Sequence, residues 1–311
     1  MARDYYLCLA ITFTIGTSGG VTMAISVQLG DLHRADLTAG PVEFREKGSG
    51  TPIVFLHGII ANGDVWRNVV PELVGEYRCI TPPDWPLGSH RLPMRDGTDF
   101  TLFGLATLID DFLEALELTD VVLVANDTGG AIAQAVAVRH PHRLGRLVLT
   151  PCDAFDNFLP LPIKHLQILG RTPVGLYLLA QSLRSPLIQR LPIAFGRLTE
   201  RPIPAEIMRS YTEPLRRISG GVRRDFAGLV RAISTRFTEE AGRGLASFSR
   251  PTLIVWARER HRFFPVRYAH QLADNLPNAR LEFLDDSGPF VSEDQPMALA
   301  GLIRDFLETS P

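Results

Sequence analysis

The segment LVANDTGGAIAQ (123–134) puts a carboxylate where the backbone must bend sharply. An apolar run of strand length, DVVLVAND (120–127), ends at Asp127, and a helical pattern rich in small residues, GGAIAQAVAVRH (129–140), starts at once. Small residues flank the tip because so tight a turn brings the strand and helix backbones together. The first turn of that helix offers unpaired amides and the positive end of its dipole, which suit an anion. A carboxylate so presented can attack an electrophilic carbon or carry a proton. Asp and Asn are also preferred helix caps, so Asp127 and Asn126 have a purely structural reading beside the chemical one.

The elements around this bend follow a rhythm of short apolar runs alternating with helical periodicity, which predicts a mostly parallel sheet covered by helices on both faces. Residues 33–50 read as a two-stranded antiparallel lead-in. Strands are expected at PIVFLHG (52–58), RCITPPDW (78–85), 120–127, RLVLTPCD (146–153), PTLIVWARE (251–259) and ARLEFLDDS (279–287). Helices are expected at 64–73, interrupted by Pro71, and at 103–118, 129–140, 265–275 and 294–308. Between 155 and 245 the strand pattern stops and apolar helical segments take over. The chain therefore divides into an extension (1–32), an α/β core (33–154 and 246–311) and an all-helical cap (155–245). A ligand site belongs where strand ends face that cap.

With these landmarks the chain resembles the α/β-hydrolase family over residues 34–310. FLHG (55–58) resembles the segment after the family's third strand, DWPLGSH (84–90) the loop after the next, and SEDQP (292–296) the opening of the last helix. The bend at Asp127 reads as the family's nucleophile elbow with Asp in place of Ser. Asp followed by Gly-Gly is similar to haloalkane dehalogenases and epoxide hydrolases. The resemblance implies an oxyanion hole from the amides of Ile59 and Thr128, and a covalent alkyl ester on Asp127 cleaved by activated water. Two departures stand out. The loop that carries the family's catalytic His reads DDSGPF (285–290), with Pro289 at the expected position, and no His follows His270. Neither specific signature is complete: Thr128 stands where dehalogenases carry Trp, and Ile59–Ile60 where epoxide hydrolases carry Pro. The substitute bases to weigh are His261 and His90; His57 belongs to the HG turn, and His165 and His270 read as ordinary helical positions. The acid partner is Asp153 or Glu259. Tyr177 and Tyr211 are the cap tyrosines available to an epoxide oxygen.

Composition sets the remaining bounds. The 311 residues are 45% hydrophobic and 21% charged, which excludes wholesale disorder and a polytopic membrane protein. Lys+Arg 32 against Asp+Glu 34 gives −2, so no bulk charge draws the chain to nucleic acid or an acidic membrane. Cys8, Cys79 and Cys152 form no metal or disulfide pattern. Residues 5–16 have the length of a signal-peptide core, yet MARD before them is not net positive. A cytoplasmic protein without cofactor or metal is expected, its partner a small apolar molecule. Membrane binding is not expected, and the oligomeric state stays open. Two classes of function remain. One is an enzyme, a hydrolase of an ester, epoxide or haloalkane, or a lyase or isomerase using Asp127 for proton transfer. The other is a hydrolase-like binding protein that has lost turnover.

Overall fold

The computed structural model describes residues 26–82, 85–216, 220–258 and 262–310. An eight-stranded sheet runs through it in the order β1-β2-β4-β3-β5-β6-β7-β8. The strands are β1 (Asp31–Leu37), β2 (Gly40–Lys47), β3 (Thr51–Leu56), β4 (Tyr77–Thr81), β5 (Val121–Asp127), β6 (Leu144–Cys152), β7 (Thr252–Ala257) and β8 (Ala279–Leu284). The lead-in hairpin β1–β2 and the β2–β4 pair are antiparallel, and every later neighbour is parallel. β5 and β7 are buried at every position. Both therefore read as unbroken apolar runs, as strands covered on two faces must.

The helices are α1 (Val70–Leu73), α2 (Leu102–Ala115), α3 (Thr128–Arg139), α4 (His165–Leu169), α5 (Pro173–Ser182), α6 (Pro186–Gln189), α7 (Ala205–Arg216), α8 (Gly221–Ala232), α9 (Thr235–Gly244), α10 (Val266–Asn275), α11 (Val291–Asp294) and α12 (Pro296–Thr309). In α2 the apolar spacing places Leu102, Leu105, Ile109 and Phe112 on the buried face, and Thr101 caps the start by accepting from the Gly104 amide. From α4 to α9 no strand intervenes among the described residues, and this all-helical stretch lies between β6 and β7.

Several element ends shift by a few residues from expectation, β8 for instance stopping at Leu284 rather than 287, and two segments differ in more than their ends. The helix expected over 64–73 is split into a turn at Gly63–Trp66 and the short α1, because Pro71 has no amide to continue the first and sits comfortably in the opening turn of the second. The extension expected over 1–32 already belongs to the fold from residue 26: Leu29 is fully buried, and the Ser26 amide donates to Asp64 Oδ1 at 2.6 Å. The signal-like stretch 5–16 and Cys8 lie outside the described residues. Among the described residues no helix is long and apolar enough to cross a membrane.

Candidate active site

β5 delivers Asp127 to its C-terminal end with φ +57° and ψ −133°, a conformation that costs an L-residue strain and that strand-to-helix elbows impose on their tip. The glycines around it are required by close approach. A Cβ on Gly58 would collide with the Asp127 side chain, one on Gly129 with the His57 carbonyl, and one on Gly130 with the Cys152 side chain. The elbow is thus clamped between β3 and β6.

The two amides expected as an oxyanion hole converge on one atom. Asp127 Oδ1 accepts from the Thr128 amide at 2.7 Å and from the Ile59 amide at 3.1 Å. These bonds fix the carboxyl plane and favour its charged form. Burial works the other way and is the stronger influence, so Asp127 titrates above the usual carboxylate range.

Asp153 lies directly behind. Its Oδ2 accepts from Thr128 Oγ1 at 3.0 Å, and its Oδ1 has no partner. Burial first, and then the charge of Asp127, push Asp153 well above the ordinary range. One hydroxyl supports Asp153 where two amides support Asp127. Of the two, Asp153 is therefore pushed further toward its protonated form. Asp153, the candidate acid partner, does not line the cavity described below; its carboxyl is bonded to the Thr128 hydroxyl instead.

The carboxyl of Asp127 opens onto a cavity of about 330 Å³. Ile59 and Ile60 after β3 and Phe263 after β7 form its floor with Asp127. The other thirteen lining residues all come from residues 163–198, most of them Leu and Ile. Among the lining side chains only Asp127, His165 and Ser182 are polar. Such a chamber favours an apolar ligand.

The expected histidines are placed differently. His57 is fully buried beneath the HG turn: its Nδ1–H donates to the Gly58 carbonyl at 2.9 Å, and burial lowers its pKa to about 4. His90 is also fully buried, and its Nε2–H donates to Asp225 Oδ2 of α8 at 3.2 Å. Burial opposes the charge of Asp225, but the bonds from His90 and the Met94 amide outweigh it and leave that carboxyl below its usual range. His90 is therefore a tie between a core loop and α8, and neither His57 nor His90 lines the cavity. His261, with Glu259, lies outside the described residues. Tyr177 is half exposed, and Tyr211 donates toward Glu293 at 3.4 Å within a buried pairing of Glu293 with Arg67; neither lines the cavity.

Sequence reading missed His165. It sits at the start of α4 and lines the cavity that contains Asp127. Its signal was an imidazole inside an otherwise apolar stretch, a weak cue without the packing. Pro289 is buried in the loop after β8, and its carbonyl accepts from Asn126 Nδ2 at 3.2 Å. That bond holds the 285–290 loop beside the elbow.

Comparison with known proteins agrees with this architecture. Residues 51–296 match the α/β hydrolase fold family model. The chain belongs to that family. A cis-3-alkyl-4-alkyloxetan-2-one decarboxylase of Shewanella oneidensis is 24% identical over 290 residues, covering 88% of this α/β hydrolase and 87% of the relative. A haloalkane dehalogenase of Mesorhizobium japonicum is 30% identical over 166 residues, about half of each chain (53% and 50%). The solved epoxide hydrolase CorEH superposes with a TM-score of 0.72 at 20% identity, over 89% of this chain and 98% of that one, a likeness of fold.

Proposed function

We propose that this α/β hydrolase turns over a small apolar electrophile by covalent attack of Asp127, with the helices between β6 and β7 acting as its cap. The observation that carries the reading is the division of labour in the Asp127 carboxyl. Oδ1 is held by two backbone amides, and the group lines an apolar chamber. Attack by Oδ2 on a carbon bearing a halide, or on a strained epoxide ring, forms an alkyl ester and displaces halide or opens the ring. Oδ1 becomes the ester carbonyl oxygen. When water then adds to Cγ, the charge develops on Oδ1, between the Ile59 and Thr128 amides, which is where an oxyanion hole acts. The adding water needs a base. Pro289 has no titratable group, and we assign the role to His165, the imidazole that lines the cavity among the described residues.

A second reading is favoured by the same proline. A relative's name describes decarboxylation of an oxetan-2-one. Attack of Asp127 on the alkyl-bearing ring carbon next to the ring oxygen breaks that C–O bond, forms an alkyl ester and releases a carboxylate. Loss of carbon dioxide with expulsion of Asp127 then gives an alkene and restores the free carboxylate. This sequence consumes neither water nor a proton, so it needs no base.

One experiment separates the readings. The protein is turned over with 1-halohexane, an alkyl epoxide and a dialkyl oxetan-2-one in ¹⁸O water, followed by peptide mass spectrometry. Hydrolysis through Asp127 places ¹⁸O in its carboxyl group; alkene formation leaves it unlabelled. Asp127→Asn abolishes both. Neither label, adduct nor alkene with any of the three would leave the binding-protein reading in its place.

A further inference from the structure

The surface of the helical stretch is unlike the rest of the molecule. Of the twelve large apolar side chains exposed among the described residues, nine lie between Leu161 and Ile193. Leu161, Ile168 and Leu187 are 75–77% exposed, more than a folded chain leaves in water without a reason. The same stretch is one-sided in charge. Residues 157–199 contain no Asp or Glu and five cations, Lys164, Arg171, Arg184, Arg190 and Arg197. All five are exposed, and none pairs with a carboxylate among the described residues. Elsewhere on the surface Arg34, Arg139, Arg258 and Arg280 are each matched to an acid.

Three of these exposed apolar side chains also belong to the cavity that Asp127 lines. Leu169 at the end of α4, Leu178 in α5 and Ile193 after α6 are each exposed and each also form part of the cavity wall. The inner lining and the outer greasy surface are thus continuous.

We propose that this face docks on an anionic lipid bilayer, with its Leu and Ile side chains in the acyl boundary and its five cations among the headgroups. Mixed apolar and basic surface without acids is what an interfacial element requires, and the charge selects anionic lipid over a neutral surface. The chain's net charge of −2 conceals this local +5. Docking would bring the cavity mouth against the lipid, so the substrate is a membrane-dissolved apolar molecule. That last clause rests on the Asp127 reading, whereas the docking does not.

The test is flotation of the full chain with vesicles of phosphatidylcholine alone or mixed with phosphatidylglycerol, at low and high salt. Wild type is expected to float with the mixed vesicles at low salt and to be released by high salt. The Ile168→Ser/Leu187→Ser variant should lose about tenfold in apparent affinity. The Arg171→Gln/Arg190→Gln variant should lose a similar factor, about tenfold, together with much of the salt sensitivity. Both variants leave the cavity untouched, and circular dichroism melts verify that they fold. Asp127→Asn should bind vesicles as wild type does, so failure of the catalytic reading leaves this one standing. No flotation of wild type overturns the proposal. So does equal flotation of the variants, which would assign binding to another part of the chain. So does a concentration-dependent dimer abolished by the same substitutions, which would make a second copy the occupant.

Discussion

The elbow and the helices over it solve opposite problems. At the elbow the key groups are tied to one another: the Ile59 and Thr128 amides hold Asp127, Thr128 Oγ1 holds Asp153, and Asn126 holds the loop of Pro289. Neighbouring backbones approach so closely that glycine is required. In the helical stretch 161–193, leucines and isoleucines stand in water, and among the described residues its cations pair with no carboxylate. The comparison assigns the roles. The core fixes where the Asp127 carboxyl sits, and the helices between β6 and β7 supply most of the wall of the cavity beside it.

The contrast is broken most severely at Asp127. Asp127→Asn should reduce turnover by about a thousandfold or more, the scale of losing a group that acts in the transition state. It should not cost stability, because a neutral amide replaces a buried charge; paired kinetics and thermal melts check both halves. Next comes Gly130→Val, which drives a side chain into Cys152. It should cost about 3 kcal/mol in urea unfolding, through overpacking at a site that cannot relax.

The buried ionisable groups of the core give effects of opposite sign. His57 is neutral when folded, with its pKa near 4. The unfolded chain takes up its proton below about 6.5, so the contribution of His57 to stability should fall by roughly 3 kcal/mol as pH drops from 6.5 to 4 and change no further below that. Denaturant melts across this range should show the slope, and His57→Asn should flatten it. Asp153 is held protonated by burial, so its cost appears as pH rises above the normal carboxylate range. Asp153→Asn should therefore raise the melting temperature at pH 8 more than at pH 4. The smallest effect belongs to the helices. Leu187→Ser, at a side chain that is already 75% exposed, should change stability by less than about 0.5 kcal/mol.

Much of this division was legible in the residues. The strand runs at 120–127 and 251–259 and the amphipathic spacing of 103–118 are local signals, and the sheet order follows once the elbow is recognised. Asp127, Ile59 and Thr128 came together as expected because one rigid turn and one loop position all three. His90 and His165 were misjudged for a common reason. Whether an imidazole faces a cavity or a buried carboxylate depends on how the helices between β6 and β7 settle on the core, and their periodicity does not encode that. The whole-chain charge of −2 also hides the run of five cations without an acid over 157–199, since a sum over 311 residues erases a local asymmetry.

The two described thiols offer a use beyond packing. Cys79 in β4 is buried and its pKa is pushed up to about 12, and Cys152 lies against Gly130 directly under the elbow with its pKa also raised by burial. Neither sulfur can react with a thiol reagent while the fold is closed. Each is a built-in timer: the rate at which it becomes labelled counts how often its own stretch of the sheet comes apart, one beneath the reactive turn and one near the antiparallel edge.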